Sequence, residues 1–293
     1  MDGENKCQSL QKPELIELTV SSVKIDGTEE IIEVVYIIDP KSKILHSTFF
    51  PLEPVDLIFK KINEYEDFLK LFDFSRLLKL QFYINSSTEV IKLFNKYNTN
   101  PNSFFSISIN DSGELGERNS KDILNLINNI ENSNEMHLTF NFPHQEAPED
   151  FNFPKMRSLK VISVKEVNGT QFLSKEIISN LLNDCPSLRS VKLSSINKGI
   201  YYETVKLILA KQTSIPPLKC RDNSFNAHFV MDDDLRPIIV HFYQSLFEDK
   251  QFKVNVLCFP YDNGNFGYSL YGYKKCENCT GEHVVNIFFE VES

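Results

Sequence analysis

Apolar residues recur in the middle of the chain in a short pattern. Two apolar positions separated by one residue often follow a third that lies three residues earlier. The pattern occurs at Leu77, Leu80 and Phe82; Phe104, Ile107 and Ile109; Leu138 and Phe140; Leu159 and Val161; and Leu188, Val191 and Leu193. Alternation with period two is typical of a strand that buries one face. We therefore predict five strands between residues 77 and 196, and PELIELTV near the N-terminus predicts a more distant sixth.

The spacing of these strands indicates a repeat. Their second apolar positions (residues 80, 107, 138, 159 and 191) are separated by 27, 31, 21 and 32 residues. Leucine-rich repeats have periods of about 20–29 residues, so two steps lie inside this range and two slightly above it. The Asn or Cys that usually follows the strand of such a repeat is missing. We predict an α/β fold built on an irregular leucine-rich-repeat-like strand–helix array.

Segments with helical periodicity lie between most of the strands. After Thr88, apolar residues follow the spacing i, i+3, i+4, i+7, and similar stripes follow Ser120, Ser174 and Tyr202. Thr88, Ser120 and Ser174 are the predicted N-caps. The step from residue 138 to 159 has no such stripe and carries the proline-bounded loop PHQEAPEDFNFP instead. This alternation predicts a parallel sheet with helices on one side. The alternative is a non-repetitive α/β domain.

The array has flanks of different character. Residues 1–50 read as an N-terminal β-rich segment, and residues 51–79 as a helical segment. The array itself spans 80–215, since Ile215 is followed by two prolines. Residues 216–293 show mostly period-two patterns, including RPIIVHFYQSLF, in which His241 would sit in a strand. We predict a C-terminal β-rich cap that covers the open end of the core.

The charge balance narrows the classes of partner. A net charge of −9 disfavours binding to nucleic acid or to an anionic membrane surface, because both need a positive field. The polar start MDGENKCQSLQKPE lacks the apolar region of a signal peptide, and no apolar run is long enough to cross a bilayer. We expect a protein that is not secreted and is cytoplasmic or nuclear, with reduced cysteines.

Candidate chemistry is sparse. The segment CENCTGEH contains Cys276, Cys279 and His283 at metal-ligand spacing, and Cys258 could supply a fourth ligand. A single CxxC motif is weak, however, and the alternative is two cysteines in a loop between strands. No GxSxG, HExxH, GxxxxGK[ST] or GxGxxG motif occurs. We therefore predict no enzyme activity, no cofactor and no bound metal. A zinc-dependent module or an enzyme that uses these cysteines stays as the alternative.

The residues of the predicted strands that point away from the core define a candidate surface for binding a protein partner. They combine polar and aromatic side chains, a mixture that fits protein recognition. They are Gln81, Tyr83, Ser108, Asn110, Thr139, Asn141, Lys160, Ile162, Lys192 and Ser194.

One phrase in this region resembles a known family. The stretches FPKMRSLKVISV and NLLNDCPSLRSVKLSSI resemble the repeat region of nematode F-box-associated proteins, including those with an FTH-type domain. The resemblance covers roughly residues 75–245 and rests on the alternation and on the CPSL turn. It implies a substrate receptor that docks on a Skp-type adaptor of a cullin ubiquitin ligase.

An F-box would have to lie in FPLEPVDLIFKKINEYEDFLKLFDFSRLLK. The resemblance implies adaptor-binding roles for Leu57, Ile58, Phe68 and Leu69. The match departs from the family at Ile62, which is one residue late after Leu57, and strand-like sequence precedes the segment. The leading prediction is thus non-enzymatic protein recognition, with a role as ubiquitin-ligase receptor as its specific form. The alternative is a binding or regulatory protein without that role.

Overall fold

A computed structural model describes residues 12–25, 29–39, 53–98, 102–111, 120–143, 147–214, 223–231, 237–260, 266–276 and 281–291. These residues form twelve strands and six helices. The strands are β1 (Leu15–Ile25), β2 (Glu29–Ile38), β3 (Val55–Phe59), β4 (Lys79–Ile84), β5 (Asn102–Asp111), β6 (Ile130–Phe140), β7 (Val161–Glu166), β8 (Ser190–Ser194), β9 (Asn223–Met231), β10 (Lys253–Pro260), β11 (Phe266–Lys275) and β12 (Glu282–Val291). The helices are α1 (Ile62–Lys70), α2 (Glu89–Tyr97), α3 (Ser120–Asn128), α4 (Lys175–Asp184), α5 (Gly199–Thr213) and α6 (Pro237–Asp249).

All twelve strands belong to one sheet in the order β10-β11-β12-β9-β8-β7-β6-β5-β4-β1-β2-β3. The eight central strands, from β1 to β12, are parallel, and an antiparallel pair extends each end. From β4 to β9, each new strand joins the sheet on the same side of the previous one. Because crossovers between parallel strands are right-handed, this order puts the connecting helices on one face.

Ring contacts between helices and strands locate the core on that face. Phe82 of β4 lies 5.5 Å from Phe94 of α2, between ring centroids, and Tyr201 of α5 stacks on Phe229 of β9 at 4.7 Å. The strand residues of this phase are almost completely buried, whereas those of the opposite phase are mostly half-exposed. We call the side of the parallel strands that points away from the helices the open face. The prediction of a parallel sheet with helices on one side is confirmed.

The register of the sheet gives the true spacing of the strands. Leu80, Ile107, Met136, Ile162 and Val191 are register partners in one row across β4 to β8, separated by steps of 27, 29, 26 and 29 residues. The sequence-derived steps were less even because two strands were misaligned. In β6 the row passes through Met136 rather than Leu138. In β7 it passes through Ile162, since Leu159 lies in the turn before the strand.

Two segments differ from their predicted structure. Residues 51–79, predicted as helical, contain the strand β3 ahead of α1, because Val55–Phe59 pairs with β2 at the edge of the sheet. The stretch RPIIVHFYQSLF, predicted as a strand, forms most of α6. Its buried residues Val240, Tyr243 and Phe247 follow helical spacing, and His241 is exposed rather than placed in a strand. The last part of the predicted N-terminal β-rich segment, residues 40–50, which includes the strand-like stretch KILHSTFF, lies outside the described residues.

The loop between β6 and β7 contains no helix in its described part, as predicted. Aromatic side chains fill the layer that helices occupy elsewhere. Phe140 and Phe142 lie 5.0 and 5.5 Å from Phe172, and Phe151 lies 5.9 Å from it, between ring centroids. All four rings are buried. The core is therefore continuous from α3 to α4 although one helix is missing.

The predicted caps have different outcomes. The hydroxyl of Ser174 accepts a hydrogen bond from Ile177 N at 3.2 Å, which confirms it as the N-cap of α4. Thr88 precedes α2, but its hydroxyl makes no capping bond and donates instead to Asp122 Oδ2 at 3.1 Å, which joins α2 to α3. None of the described helices combines the length and the hydropathy needed to cross a bilayer.

Candidate binding site

A concavity of about 320 Å³ lies on the open face. It is lined by residues of six strands, β5 to β9 and β12, and its outward-facing side chains belong to two neighbouring register rows. Ile109, Leu138 and Val164, from the buried row between them, also line it. The first row contributes Ser108, His137, Ser163 and Lys192, and the second contributes Asn110, Thr139, Lys165, Ser194, Val230 and Glu290. The site is thus built by the ladder of parallel strands rather than by loops.

The strand pattern explains the shape of this site. Each strand buries alternate apolar residues against the helices, such as Ile107 and Ile109 in β5, and points the residues between them at the open face. Several of these outward residues are short (Ser108, Ser163 and Ser194), so the floor stays low. Longer side chains stand around them. Short and long polar side chains on adjacent parallel strands therefore leave a hollow in an otherwise filled surface.

The walls of the concavity carry charge. Lys192 Nζ lies 3.1 Å from Glu290 Oε2, and both side chains are about half-exposed. His228, the register partner of Lys192, stacks on Phe288 with 4.4 Å between ring centroids. Burial lowers the pKa of His228, the Lys192 ammonium lowers it further, and Glu290 opposes that effect. Lys165 adds a second ammonium on the neighbouring strand.

A buried carboxylate braces the strand ends next to this site. Glu166, the last residue of β7, points into the helix side, where its carboxylate accepts hydrogen bonds from Phe172 N and from Leu173 N, the latter at 2.6 Å. The hydroxyl of Ser195 donates to the same carboxylate. Burial raises the pKa of Glu166, while these hydrogen bonds act against the rise. This hydrogen-bond network connects the end of β7 to the end of β8. It thereby holds in place the two strands that carry the central residues of both register rows.

Five predicted partner-binding residues line the concavity: Ser108, Asn110, Thr139, Lys192 and Ser194. Gln81 and Tyr83 of β4 belong to the same two register rows, one strand further out on the open face. Lys160 is exposed just before β7. The structure thus brings seven of the ten predicted residues into two rows of one surface.

Two predicted partner-binding residues are corrected. Ile162 is fully buried against the helices, because β7 has the opposite phase to the predicted one and Val161 faces outward instead. Asn141 is only 2% exposed, since β6 ends at Phe140 and the chain turns inward there, where the Asn141 side chain accepts a hydrogen bond from Asn168. Neither residue is available to a partner.

Five outward-facing residues of the lining were not predicted from the sequence, for three reasons. His137 has the same phase as Thr139 and could have been found by extending the alternation one step. Ser163 and Lys165 follow from the correct phase of β7. Val230 belongs to β9, next to β8, and Glu290 belongs to β12, next to β9, and only the sheet order sets these positions.

Cys258 lies far from Cys276, so the structure does not bring these two candidate metal ligands together. Cys258 is the register partner of Tyr268 on β11. Cys276 follows Tyr268 by eight residues, just after the end of β11, which puts it about 27 Å away along the strand direction. His283 is buried in β12 near Cys276, and burial and the charge of Lys274 lower its pKa. Cys279 lies outside the described residues. Within the described ranges, no group of three or more His, Cys, Asp or Glu side chains could hold a metal ion.

The four residues with predicted adaptor-binding roles do not form one exposed surface. Phe68 and Leu69 on α1 are 5% and 1% exposed, because α1 packs against β2, where the ring of Tyr36 lies 5.2 Å from Phe68. Both residues belong to the protein's own core and are not free to contact an adaptor. Leu57 of β3 is half-buried, and Ile58 is 65% exposed.

Comparisons with protein-family models, with curated proteins and with solved structures give no match. The resemblance carried by residues 75–245 therefore stays a prediction.

Proposed function

We propose that this protein is a non-enzymatic recognition protein that binds a protein partner on the open face of its sheet. One observation carries the proposal: a polar concavity, lined by side chains from six strands, lies on the face opposite the helices. A rigid ladder holds these side chains at fixed spacing, which lowers the entropy lost on binding. Exposed side chains in ordered rows are the kind of surface that repeat proteins use for recognition.

We further propose that β4 to β8 are divergent leucine-rich-repeat-like units. Steps of 26–29 residues between register partners support this, since they lie within the range of that class. Four units share one apolar pattern, with residues at positions 1, 4 and 6: Leu77, Leu80 and Phe82; Phe104, Ile107 and Ile109; Leu159, Ile162 and Val164; and Leu188, Val191 and Leu193. The antiparallel pairs at both ends then act as caps.

Site-specific photo-crosslinking tests the recognition function. A photoreactive amino acid replaces Ser163 at the floor of the concavity, and in a matched control it replaces Glu176, an exposed residue of α4 on the opposite side. Both proteins are expressed in the native host and irradiated. We expect one discrete crosslinked protein from position 163 and none from position 176. Equal crosslinking from both positions, or none from 163, would remove the open face as the binding surface.

The narrower proposal, a substrate receptor of an SCF-type ubiquitin ligase, rests on the family resemblance and on exposed apolar residues of the edge strand β3. Ile58 is 65% exposed and Val55 41% exposed. If a Skp-type adaptor binds there, Ile58→Asp abolishes co-purification of the adaptor. Leu257→Asp, which changes a residue that is 60% exposed on the opposite edge strand, is the matched control and leaves it intact. If the adaptor co-purifies equally with both variants, it does not bind through β3.

A further inference from the structure

We propose that the concavity binds an oxyanion group of the partner, a carboxylate or a phosphate, between Lys165 and Lys192. The inference rests on the proposed function, since it names the chemistry that the open face recognises. It starts from the position of the two lysines, which share one hollow on adjacent strands. The chain as a whole carries a net charge of −9, whereas the lining of the concavity holds two lysines and one glutamate and so has the opposite sign.

The register fixes the arrangement around the two lysines. Lys192 is the partner of Ser163, and Lys165 is the partner of Ser194, so the four residues form the corners of a quadrilateral. Lys165 and Lys192 occupy one diagonal of this quadrilateral, and Ser163 and Ser194 occupy the other. The Cα atoms of the two lysines are about 8 Å apart, given the spacing between strands and along them. Four donor groups around one hollow suit an acceptor with several oxygens.

The molecule itself supplies an example of the chemistry. Glu290 reaches over β9 to place a carboxylate oxygen 3.1 Å from the Lys192 ammonium. One wall of the concavity therefore already holds an oxyanion against Lys192. Because this pair is half-exposed, its net energy is small, and an external carboxylate or phosphate can exchange with Glu290 or bind beside it. Glu290 then acts as an internal competitor for the ligand.

Peptide titration tests this site. Three short peptides share one Gly/Ser sequence and differ at the centre, which holds phosphoserine, three glutamates or serine. Calorimetry at low ionic strength measures their binding to the full chain. We expect the phosphoserine or the glutamate peptide to bind and the neutral peptide not to bind. Which anionic peptide binds more tightly identifies phosphate or carboxylate as the source of the oxyanion.

Matched variants separate this site from general charge attraction. Lys165→Gln and Lys192→Gln each weaken binding about tenfold, since each removes one charge-assisted hydrogen bond. Lys79→Gln is the control, because Lys79 is also on the open face and also lies near a glutamate, with 3.7 Å to Glu17. Glu290→Gln tightens binding several-fold, and Glu17→Gln leaves it unchanged.

The outcomes distinguish this inference from the function on which it rests. If neither anionic peptide binds more tightly than the serine peptide, or if Lys79→Gln weakens binding as much as Lys192→Gln, the oxyanion site is overturned. Crosslinking from position 163 that persists in the Lys165→Gln, Lys192→Gln double variant also overturns it and leaves partner recognition intact. Lysine-dependent peptide binding without any crosslink from position 163 supports the oxyanion site and removes the protein partner.

Discussion

Lys192 and Glu290 are ion-paired across an intervening strand, with 3.1 Å between Nζ and Oε2 and a sequence separation of 98 residues. Lys192 lies on β8 and Glu290 on β12, and β9 runs between these strands. The pair therefore links a central strand to the last strand of the chain and forms one wall of the concavity. The sheet order alone brings the two residues together.

This pair contributes little to stability, which makes its variants useful for binding studies. Both side chains are about half-exposed, and exposed ion pairs typically contribute about 0–1 kcal/mol. We expect Lys192→Gln and Glu290→Gln each to change the free energy of unfolding by less than about 1 kcal/mol. Urea denaturation measures this change. A loss above about 2 kcal/mol in either variant would show that the pair is structural.

The buried Glu166 is expected to stabilise the fold through its hydrogen bonds rather than its charge. Glu166→Leu leaves Phe172 N, Leu173 N and the Ser195 hydroxyl without their acceptor, and should lower the free energy of unfolding by about 3 kcal/mol. Glu166→Gln keeps an oxygen for the two N–H groups and an amide donor for Ser195, so its loss stays within about 1 kcal/mol. Thermal and urea unfolding of both variants, at one pH, compare them. Equal losses would contradict the assignment.

Gly272 is required by the packing of α6 on β11. A Cβ built at Gly272 lies 2.1 and 2.2 Å from two ring carbons of Phe247, a fully buried residue of α6. Gly272→Ala should therefore cost about 1–3 kcal/mol through overpacking. In Phe247→Leu, which makes room, the added cost of Gly272→Ala falls, so the double variant loses less than the sum of the two single variants.

A second glycine provides the control for this experiment. A Cβ at Gly199, the first residue of α5, meets only Asn197 Oδ1 at 3.1 Å, the end of a flexible side chain, so Gly199→Ala should be mild. Urea denaturation of the four variants gives the comparison. Additive losses at positions 247 and 272 would rule out a direct clash between the two side chains.

The pKa of His228 should report the charges of the concavity. Burial and Lys192 lower it, and Glu290 raises it. NMR titration of the imidazole should thus give a higher pKa in Lys192→Gln and a lower one in Glu290→Gln than in the unchanged protein. Lys79→Gln, on β4 and thus five strands from β9, should leave it unaltered. A pKa that does not respond to Lys192→Gln would place the ammonium away from the ring.

The same shift has a consequence for stability. The unfolded chain protonates this histidine near the usual value of 6.5, whereas the folded chain protonates it only at lower pH. Acidification through pH 6.5 therefore favours the unfolded state, and the contribution of His228 is fully present only above that value. His228→Asn should reduce the loss of stability between pH 7 and pH 5.5. An unchanged slope would contradict the lowered pKa.

Much of the strand pattern is readable from local sequence. The apolar alternation at Leu80 and Phe82, at Ile107 and Ile109, and at Val191 and Leu193 gave both the strands and their phase, because burial of one face imposes period two. The helices α2, α3, α4 and α5 followed from their 3.6-residue period in the same way. A short apolar run does not by itself distinguish a helix from a strand. The helix α6 was therefore wrongly predicted as a strand, because apolar residues occur on more than one of its faces.

Strand alternation predicts only part of the binding site. Thr139 and Lys192 could be assigned to the open face from strand alternation alone. Ile162 could not, because two apolar residues, Val161 and Ile162, are adjacent, and only pairing with β8 decides which of them faces the helices. A shift of one residue exchanges the two faces of a strand. The predicted alignment of β7 was shifted by one residue, so it placed the core residue Ile162 on the open face and omitted Ser163 and Lys165.

The sequence by itself determined the layers of this protein: a parallel sheet, helices on one side and polar residues on the other. These follow from the local periodicity of burial, which each segment carries independently. The tertiary structure decided the order of strands and the pairing of distant residues. Glu290 reaches Lys192 because β12 joins the sheet beside β9 and not at the edge of the sheet. Such long-range contacts depend on how the whole core is closed, and no local pattern encodes that choice.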